Sequence, residues 1–199
     1  MKNKVFKPEI VVFAGPNGSG KSTITDLLKP NYDYVNADEI KKHIKCSDIE
    51  AAKLAEEQRE TLLNENKNFC FETVLSTDRN LKLLRRAKDK GYFIKCFYIL
   101  TADPAINVAR VKLRVLSGGH DVPEDKIISR YDKALNLIPE LVSVCDICNI
   151  YDNTTMQPYR VFKKRKDKHF FDDGSDFWKK ENIDSLTKIT NAEFKNLNI

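Results

Sequence analysis

A stretch near the start of the chain combines the residue types that bind phosphate groups. Its sequence is Gly15-Pro16-Asn17-Gly18-Ser19-Gly20-Lys21-Ser22-Thr23, with the spacing G-x-x-x-x-G-K-S. In such a loop the glycines let backbone N–H groups surround phosphate oxygens, the lysine reaches the outer phosphates, and the serine hydroxyl faces Mg²⁺. A glycine-rich turn without a ligand is the alternative, but it needs neither the lysine nor the hydroxyl. The stretch therefore predicts that these residues bind a nucleotide together with Mg²⁺.

The residues on either side of this loop predict the elements that hold it. The apolar run Ile10-Val11-Val12-Phe13-Ala14 comes before the loop, and Ile24-Thr25-Asp26-Leu27-Leu28 comes after it. Continuous apolar residues, without alternation, are typical of a strand in a parallel sheet that is covered on both faces. A strand, a glycine loop and a helix in this order form the context that the phosphate-binding motif requires.

Two carboxylates follow directly on other predicted strands. Asp38 comes after a short strand at residues 32–36, and Glu72 comes after the apolar run Phe69-Cys70-Phe71. Ligands of open α/β sheets bind beyond the carboxyl ends of the strands, so we expect Asp38 and Glu72 to be neighbours there. For Asp38 the alternative role is an ordinary helix N-cap.

A third group of charged residues lies on a predicted pair of helices at about residues 104–144. Arg110 and Arg114 are four residues apart on the first helix and therefore share a face. Gly118-Gly119 ends that helix, and the second helix, from residue 124 to about 144, carries Arg130. We interpret this region as a hinged flap whose arginines neutralise a transferring phosphoryl group. Surface arginines paired with nearby carboxylates are the alternative.

Alternating strands and helices predict an α/β fold of the P-loop NTPase type, a three-layer sandwich. It would contain a five-stranded parallel sheet with helices on both faces. We expect residues 1–153 to form the core, with the flap at about 104–144. Residues 154–199 would form a C-terminal appendage, a hairpin plus a helix near residues 191–197, packed on the core.

Composition narrows the class of protein further. The 199 residues are 41% hydrophobic with a net charge of +5, and no apolar run approaches a membrane span or a signal-peptide core. Five cysteines, an odd number, favour reduced core thiols, although Cys145 and Cys148 form a C-x-x-C that leaves a redox or zinc role open. We therefore expect a cytoplasmic protein without a membrane partner. The basic run at residues 163–166 is interpreted as a solvated face, with nucleic-acid contact as the less favoured alternative.

The parts around a phosphate loop distinguish switches, motors and kinases. A GTPase would normally carry an Asn-Lys-x-Asp base reader, and the sequence contains none. Motors usually end an apolar strand in an acid, whereas here Asp103 is set back and followed by proline, which favours a helix cap. A kinase needs a carboxylate for the acceptor hydroxyl and cationic groups for the phosphoryl group, and the sequence offers both. It does not distinguish ATP from GTP.

Several motifs occur in an order that resembles the zeta toxin family, and more closely its short zeta-like branch. They are the loop at residues 15–23, Val35-Asn36-Ala37-Asp38-Glu39-Ile40, Phe71-Glu72-Thr73-Val74-Leu75-Ser76, Gly91-Tyr92, Arg110-Val111, Arg114-Val115, Gly118-Gly119-His120-Asp121-Val122-Pro123, Arg130-Tyr131 and Tyr151-Asp152-Asn153. The resemblance covers residues 9–153, about three quarters of the chain. Residues after 154 match nothing in the family pattern.

The resemblance implies a P-loop kinase that uses ATP and Mg²⁺, with an alcohol group as acceptor. Toxin members of the family phosphorylate the 3′-hydroxyl of UDP-N-acetylglucosamine, and an antitoxin protein is then a possible partner. The implied roles are Lys21, Asp38, Arg114 and Arg130 in catalysis, with Asp38 as the base, Glu72, Thr73, Arg110 and His120 in substrate binding, and Ser22 and Glu72 at the metal. The alternatives are an ATP-binding regulatory module without phosphoryl transfer, or a kinase acting on a nucleic-acid end or another metabolite.

Overall fold

The structure is a computed structural model, and it describes residues 7–155 and 157–198. The strands are β1 Glu9–Ala14, β2 Asp33–Val35, β3 Phe69–Thr73, β4 Phe93–Leu100, β5 Ile147–Asp152, β6 Tyr159–Arg165, β7 Lys168–Phe171 and β8 Glu193–Phe194. The helices are α1 Lys21–Leu28, α2 Ala37–Ile44, α3 Asp48–Asn64, α4 Arg79–Asp89, α5 Pro104–Leu116, α6 Glu124–Asn136, α7 Ile138–Val144 and α8 Lys180–Thr187.

The strands form a single sheet in the order β2-β3-β1-β4-β5-β6-β7-β8. Strands β1 to β5 pair in parallel, which confirms the predicted five-stranded parallel core. The predicted C-terminal hairpin is β6 and β7, and β6 pairs antiparallel with β5. The chain after residue 153 therefore continues the core sheet across its edge.

Helices cover the two faces of the sheet unequally. Buried side chains of α3, α4, α7 and α8 pack on one face, around Ile10, Val12, Phe71 and Tyr98. On the opposite face Ile24 of α1 packs against Val11, Phe13 and Cys70. This arrangement confirms the predicted three-layer α/β sandwich, with α1 as the helix on the second face.

Helix starts follow the local sequence signals. The Ser47 side chain accepts a hydrogen bond from the backbone N–H of Glu50, and the Glu50 carboxylate bonds back to Ser47, which is a complete capping box. Asp103 caps α5 by accepting from Ala105 N at 2.7 Å, with Pro104 at the first helical position. The predicted cap role of Asp103 is confirmed.

Two predicted helices at the ends of the flap and of the chain are wrong. The helix predicted from residue 124 to about 144 is divided at Leu137, because Pro139, in the first turn of the separate helix α7, cannot donate the backbone hydrogen bond that would continue α6. The helix predicted near residues 191–197 is strand β8, and the C-terminal helix is α8. Pairing with β7 and a hydrogen bond from Leu197 N to Asp172 Oδ2 at 2.7 Å override the weak helix propensity of this segment.

The five cysteines are free thiols. Within the described ranges, no group of three or more His, Cys, Asp or Glu side chains is arranged to hold a metal ion, so Cys145 and Cys148 lack zinc partners. Among the helices of residues 7–155 and 157–198, none has the length and apolar character needed to cross a bilayer.

Candidate nucleotide and acceptor site

The loop between β1 and α1 has a backbone that only glycine adopts easily. Gly18 and Gly20 have φ values of 77° and 93°. A Cβ atom on Gly18 would lie 2.4 Å from the carbonyl oxygen of Asn107, and one on Gly20 would lie 2.2 Å from Asn153 Nδ2. The loop is therefore closed around α5 and the end of β5, which explains why glycine occupies both positions.

Lys21 folds back over this loop. Its Nζ donates hydrogen bonds to the carbonyl oxygens of Gly15 at 2.8 Å and Pro16 at 2.9 Å. Removal from water lowers the pKa of Lys21 to about 8, although the nearby carboxylates of Glu72 and Asp38 act in the opposite direction. An anionic group in the loop would favour the charged ammonium and raise this pKa again.

Polar groups of the loop remain available for a ligand. Among the described side chains, Asn17 Oδ1 and Ser19 Oγ are buried without a hydrogen-bond partner. Gly20 supplies no side-chain cap to α1, so the first N–H groups of that helix face the loop. A helix N-terminus with free N–H groups and a lysine attracts phosphate, so the loop fits a nucleotide phosphate chain.

Asp38 is the second residue of α2 and not its N-cap. The cap is Asn36, whose Oδ1 accepts from the backbone N–H groups of Asp38 at 2.8 Å and Glu39 at 3.4 Å. The alternative reading of Asp38 as a helix cap is therefore wrong. The Asp38 carboxylate is exposed and lines the cavity above the phosphate loop.

Glu72 lies in a chain of hydrogen bonds at the carboxyl edge of the sheet. Ser22 Oγ lies 3.5 Å from Glu72 Oε2, and Tyr34 Oη donates to Glu72 Oε1 at 3.0 Å. The Asn36 amide donates to Tyr34 Oη at 2.7 Å, and burial, with the adjacent Glu72 carboxylate, raises the pKa of Tyr34 well above its ordinary value. One asparagine thus caps the helix that carries Asp38 and orients the tyrosine that holds Glu72.

Thr73 has a hydroxyl that remains able to donate. Its Oγ1 accepts from Leu75 N at 3.0 Å and from Asn80 Nδ2 at 2.8 Å. A hydroxyl has two acceptor positions and one hydrogen, so both acceptor positions are used while the hydrogen is free for a ligand.

The flap is a packed helical hairpin. A small apolar cluster of Val108, Val111, Val122 and Ile127 joins α5 to α6. Arg114 lies across the turn between them, where a Cβ on Gly119 would approach Arg114 Cγ to 2.5 Å. The second glycine therefore leaves room for the arginine side chain.

Arg110 has a different environment from the other two flap arginines. Its guanidinium donates to the carbonyl oxygens of Asn153 at 2.7 Å, Thr154 at 3.3 Å and Thr155 at 3.1 Å. Asn153 Nδ2 in turn donates to the carbonyl of Ser19 at 2.7 Å. These contacts tie α5 to the phosphate loop through the end of β5. In the part of the chain that the structure describes, none of Arg110, Arg114 and Arg130 forms an ion pair with a carboxylate.

One cavity of about 590 Å³ collects these groups. The predicted site residues that line it are Asn17, Gly18, Gly20, Lys21, Ser22, Thr23, Asp38, Glu72, Thr73, Arg110, Arg114, His120 and Arg130. Gly15, Pro16 and Ser19 are buried beneath it. The lining also contains Asp121, from the motif at residues 118–123, and Asp48 and Lys126, which the sequence did not single out. The Ser22 hydroxyl and the Glu72 carboxylate offer the oxygen ligands that Mg²⁺ prefers, so this end of the cavity fits the ion.

The parallel sheet, the phosphate loop at the end of β1 and the helical flap define a P-loop kinase fold. The chain belongs to the zeta toxin family, whose sequence profile matches residues 28–172. The matched range begins after the phosphate loop and contains the two carboxylates and the whole flap.

Individual proteins and solved structures are also similar to this chain. An uncharacterized protein from Haemophilus influenzae is 31% identical over 133 residues, which are 64% of this chain and 95% of the relative. The structure of the PezAT chromosomal toxin–antitoxin system of Streptococcus pneumoniae is similar with a TM-score of 0.55 and 19% identity, covering 81% of this chain and 74% of that one. The AvrRxo1-ORF1:AvrRxo1-ORF2 complex with ATP gives a TM-score of 0.65 and 16% identity, covering 95% of this chain and 65% of that one. At these identities the two structures show the fold.

Proposed function

We propose that the protein is a kinase that transfers the γ-phosphoryl group of Mg²⁺-ATP to a hydroxyl of a small-molecule acceptor, with UDP-N-acetylglucosamine as the first candidate. The observation that carries this proposal is the shared cavity. Its lining contains both the Asp38 carboxylate, which is not used as a helix cap, and Lys21 of the phosphate loop. Phosphoryl transfer needs positioning and charge stabilisation more than covalent chemistry, and the cavity supplies both.

The nucleotide would lie on the phosphate loop. Lys21 exchanges its bonds to the Gly15 and Pro16 carbonyls for phosphate oxygens, so its ammonium is already at the loop before the nucleotide arrives. Ser22 and Glu72 would hold Mg²⁺, which neutralises phosphate charge. Tyr34 keeps the Glu72 carboxylate turned toward Ser22.

The acceptor would lie between α2 and the flap. Asp38 accepts the proton of the acceptor hydroxyl, while the free hydroxyl hydrogen of Thr73 orients the acceptor. Arg114 and Arg130 stabilise the charge that develops on the transferring group. The flap also keeps water from competing with the acceptor.

Family membership and the charges of the cavity support the proposed acceptor class. Toxin members of the family use UDP-N-acetylglucosamine, and the flap side of the cavity carries Lys126, His120 and Arg130, which suit the diphosphate of a sugar nucleotide. The similarity to the PezAT toxin–antitoxin system supports a second part of the proposal, that an antitoxin protein binds this chain.

The test is transfer from γ-³²P-ATP to UDP-N-acetylglucosamine, compared with a panel of other sugar nucleotides, metabolites and 5′-hydroxyl oligonucleotides. Asp38→Asn should remove transfer and keep ATP affinity, whereas Lys21→Ala should remove both. Asp48→Asn is the matched control, because Asp48 lines the same cavity but its carboxylate is paired with Lys41 at 2.6 Å. ATP binding without transfer to any acceptor would instead support a regulatory module, and full transfer in Asp38→Asn would refute the base role.

A further inference from the structure

The sheet face that carries α1 is open beyond β1. Within residues 7–155 and 157–198, the apolar cluster on this face contains one helical side chain, Ile24. Further along the sheet, Phe97, Tyr151 and Phe170 are partly exposed on this face. We call this surface, formed by β4 to β8 on the α1 side, the open face.

Register assigns the side chains of the open face. Phe97, Asn149, Lys163 and Phe170 are successive partners across β4, β5, β6 and β7, and directly opposed residues point to the same face of a sheet. Tyr151 opposes Arg160 in a second row. A third row on the same face is Lys95, Ile147, Arg165 and Lys168.

The basic run at residues 163–166 is divided between the two faces. Lys163 and Arg165 belong to the open face, whereas Lys164 points to the other face, where its Nζ donates to the carbonyl oxygens of Val142 at 2.7 Å and Ser143 at 2.9 Å. The interpretation of the run as one solvated face is therefore wrong for Lys164, whereas Arg165 and Lys166 are exposed. Lys164 caps the end of α7, and the remaining cations join a larger surface.

Cations exceed carboxylates on the open face. The cations are Lys95, Arg160, Lys163, Arg165, Lys168 and Lys195, and the carboxylates are Glu9 and Glu193. Partial burial lowers the pKa of Lys163, and the neighbouring charges of Arg160, Arg165 and Lys195 lower it further. Among the described residues, the ion pair formed by the cations of this face is Lys95–Glu9 at 3.3 Å, so the face carries an excess of positive charge. Such a surface attracts a polyanion.

Aromatic rings lie among these cations. The Phe97 ring stacks on Phe13 at 5.3 Å and lies 6.4 Å from the Tyr151 ring. The Phe170 ring lies under the Lys195 ammonium at 5.2 Å. Phe97 and Phe170 are three strands apart, about 14 Å at the usual strand spacing. A sheet surface with spaced aromatic rings between cations is the arrangement on which unpaired bases stack while their phosphates bind lysine and arginine.

We propose that the open face binds single-stranded nucleic acid. The phosphates bind Lys163, Arg165 and Lys195, and a base stacks on the Phe170 ring, because Phe13 already covers one face of the Phe97 ring. A duplex is not the expected ligand, because its bases are stacked on one another and cannot reach rings that lie on a sheet. This binding is separate from phosphoryl transfer, since none of these residues lines the cavity of the kinase site.

The test is fluorescence anisotropy with a 5′-labelled oligothymidylate of about 12 nucleotides, in about 50 mM salt and upward. Each titration is made without and with a saturating non-hydrolysable ATP analogue, which fills the phosphate loop and should not displace the oligonucleotide. We expect the single strand to bind at least about tenfold more tightly than the matched duplex. Lys163→Ala with Lys195→Ala should weaken binding about tenfold and reduce the slope of log K against log salt by about 1.4, since each of the two lost phosphate contacts on a single strand contributes about 0.7.

Matched variants distinguish the effects of base stacking and of charge on the open face from the effect of the protein's net charge. Lys53→Ala with Lys133→Ala removes the same charge from exposed positions on α3 and α6 and should leave affinity unchanged. Phe170→Leu should weaken binding about fivefold or more, and Phe170→Tyr, which keeps the ring, should restore it. Unchanged affinity for the ATP analogue shows that each variant is folded. The proposal is overturned if the duplex binds as tightly, if the ATP analogue displaces the oligonucleotide, if both lysine pairs lose affinity equally, or if Phe170→Leu has no effect.

Discussion

The lysine of the phosphate loop and the polar side chains of the flap have partners at different distances along the chain. Within the loop, Lys21 hydrogen-bonds to carbonyls five and six residues earlier in the chain. The flap instead depends on distant partners, since Arg110 binds carbonyls of residues 153–155 and the Tyr131 hydroxyl binds the Thr101 carbonyl. From this difference we expect the loop to govern nucleotide affinity and the flap to govern phosphoryl transfer. The two regions should therefore affect affinity and turnover separately.

Removing the flap arginines should give the largest effect on turnover. Arg114→Ala and Arg130→Ala should each lower kcat on the order of 10³-fold and leave ATP affinity within a few-fold, because transition-state arginines act on charge that the ground state lacks. Steady-state kinetics with saturating ATP and acceptor would measure this. Lys133→Ala, which removes an exposed charge from the same helix, is the control. If both arginine variants kept turnover within a few-fold of the native protein, the flap would have only a structural role. The loop and the flap would then not differ in the way described above.

High pH should weaken ATP binding at the phosphate loop and leave the contribution of the flap arginines unchanged. With a pKa of about 8, Lys21 is charged in the free protein below pH 8 and increasingly neutral above it. Bound phosphates favour the ammonium, so ATP binding above pH 8 must take up a proton. The dissociation constant should then rise about tenfold per pH unit, or about 30-fold by pH 9.5.

Calorimetry in buffers of different ionisation enthalpy would detect this proton uptake at pH 9 and its near absence at pH 7. Lys21→Arg supplies the comparison, because arginine stays charged across the range and any remaining binding should be independent of pH. An ATP affinity that stays constant from pH 7 to about 9.5 in the native protein would contradict a depressed pKa at Lys21.

These regions also differ in how much of them the sequence predicts. The loop, its strand and the edge positions of Asp38 and Glu72 follow from local pattern and from the rule that ligands lie beyond parallel strand ends. The role of Asn153 could not be predicted, because its hydrogen bond to the Ser19 carbonyl joins residues 134 positions apart. The cap role of Asn36 could have been predicted, since asparagine is favoured at the position directly before a helix. Its second bond, to Tyr34, joins residues two positions apart, whereas the bond from Tyr34 to Glu72 spans 38 positions and depends on the pairing of β2 with β3, which spacing does not reveal.

The C-terminal region gives the same lesson for the fold. The β6–β7 hairpin was predicted from two short runs of apolar and aromatic residues, but its pairing with β5 was not, because edge pairing leaves no periodic signal in the sequence. Residues 191–197 were predicted as a helix because local propensity was the only guide. In the fold their backbone groups bind β7 and Asp172, and this pairing determines their structure.

Tyr34→Phe should give an intermediate effect that connects the two regions. Loss of the hydroxyl removes one bond from Glu72 and one from Asn36, while the ring stays under the Lys29 ammonium, 4.9 Å from its centroid. We expect kcat to fall about tenfold and the Mg²⁺ concentration for half-maximal activity to rise, since a displaced partner of a ligand typically costs 10- to 100-fold. Tyr32→Phe is the matched control, because its hydroxyl binds Glu9 away from the cavity. Equal behaviour of the two variants would remove Tyr34 from the positioning of Glu72.

The flap helices are joined by an ion pair and by an apolar cluster, and loss of the ion pair should have the smallest effect. Lys112 and Glu124 form an ion pair at 2.8 Å between α5 and α6, with 67% and 54% of their side chains exposed. Exposed pairs contribute little, so Lys112→Ala should lower the free energy of unfolding by less than about 1 kcal/mol and leave turnover unchanged. Val111, 2% exposed in the apolar cluster beneath, is the comparison. Val111→Ala should cost about 2 kcal/mol in urea unfolding and lower turnover as well, because the apolar contacts fix Arg114 over the cavity. If Lys112→Ala were the more damaging change, charge and not packing would hold the flap in place.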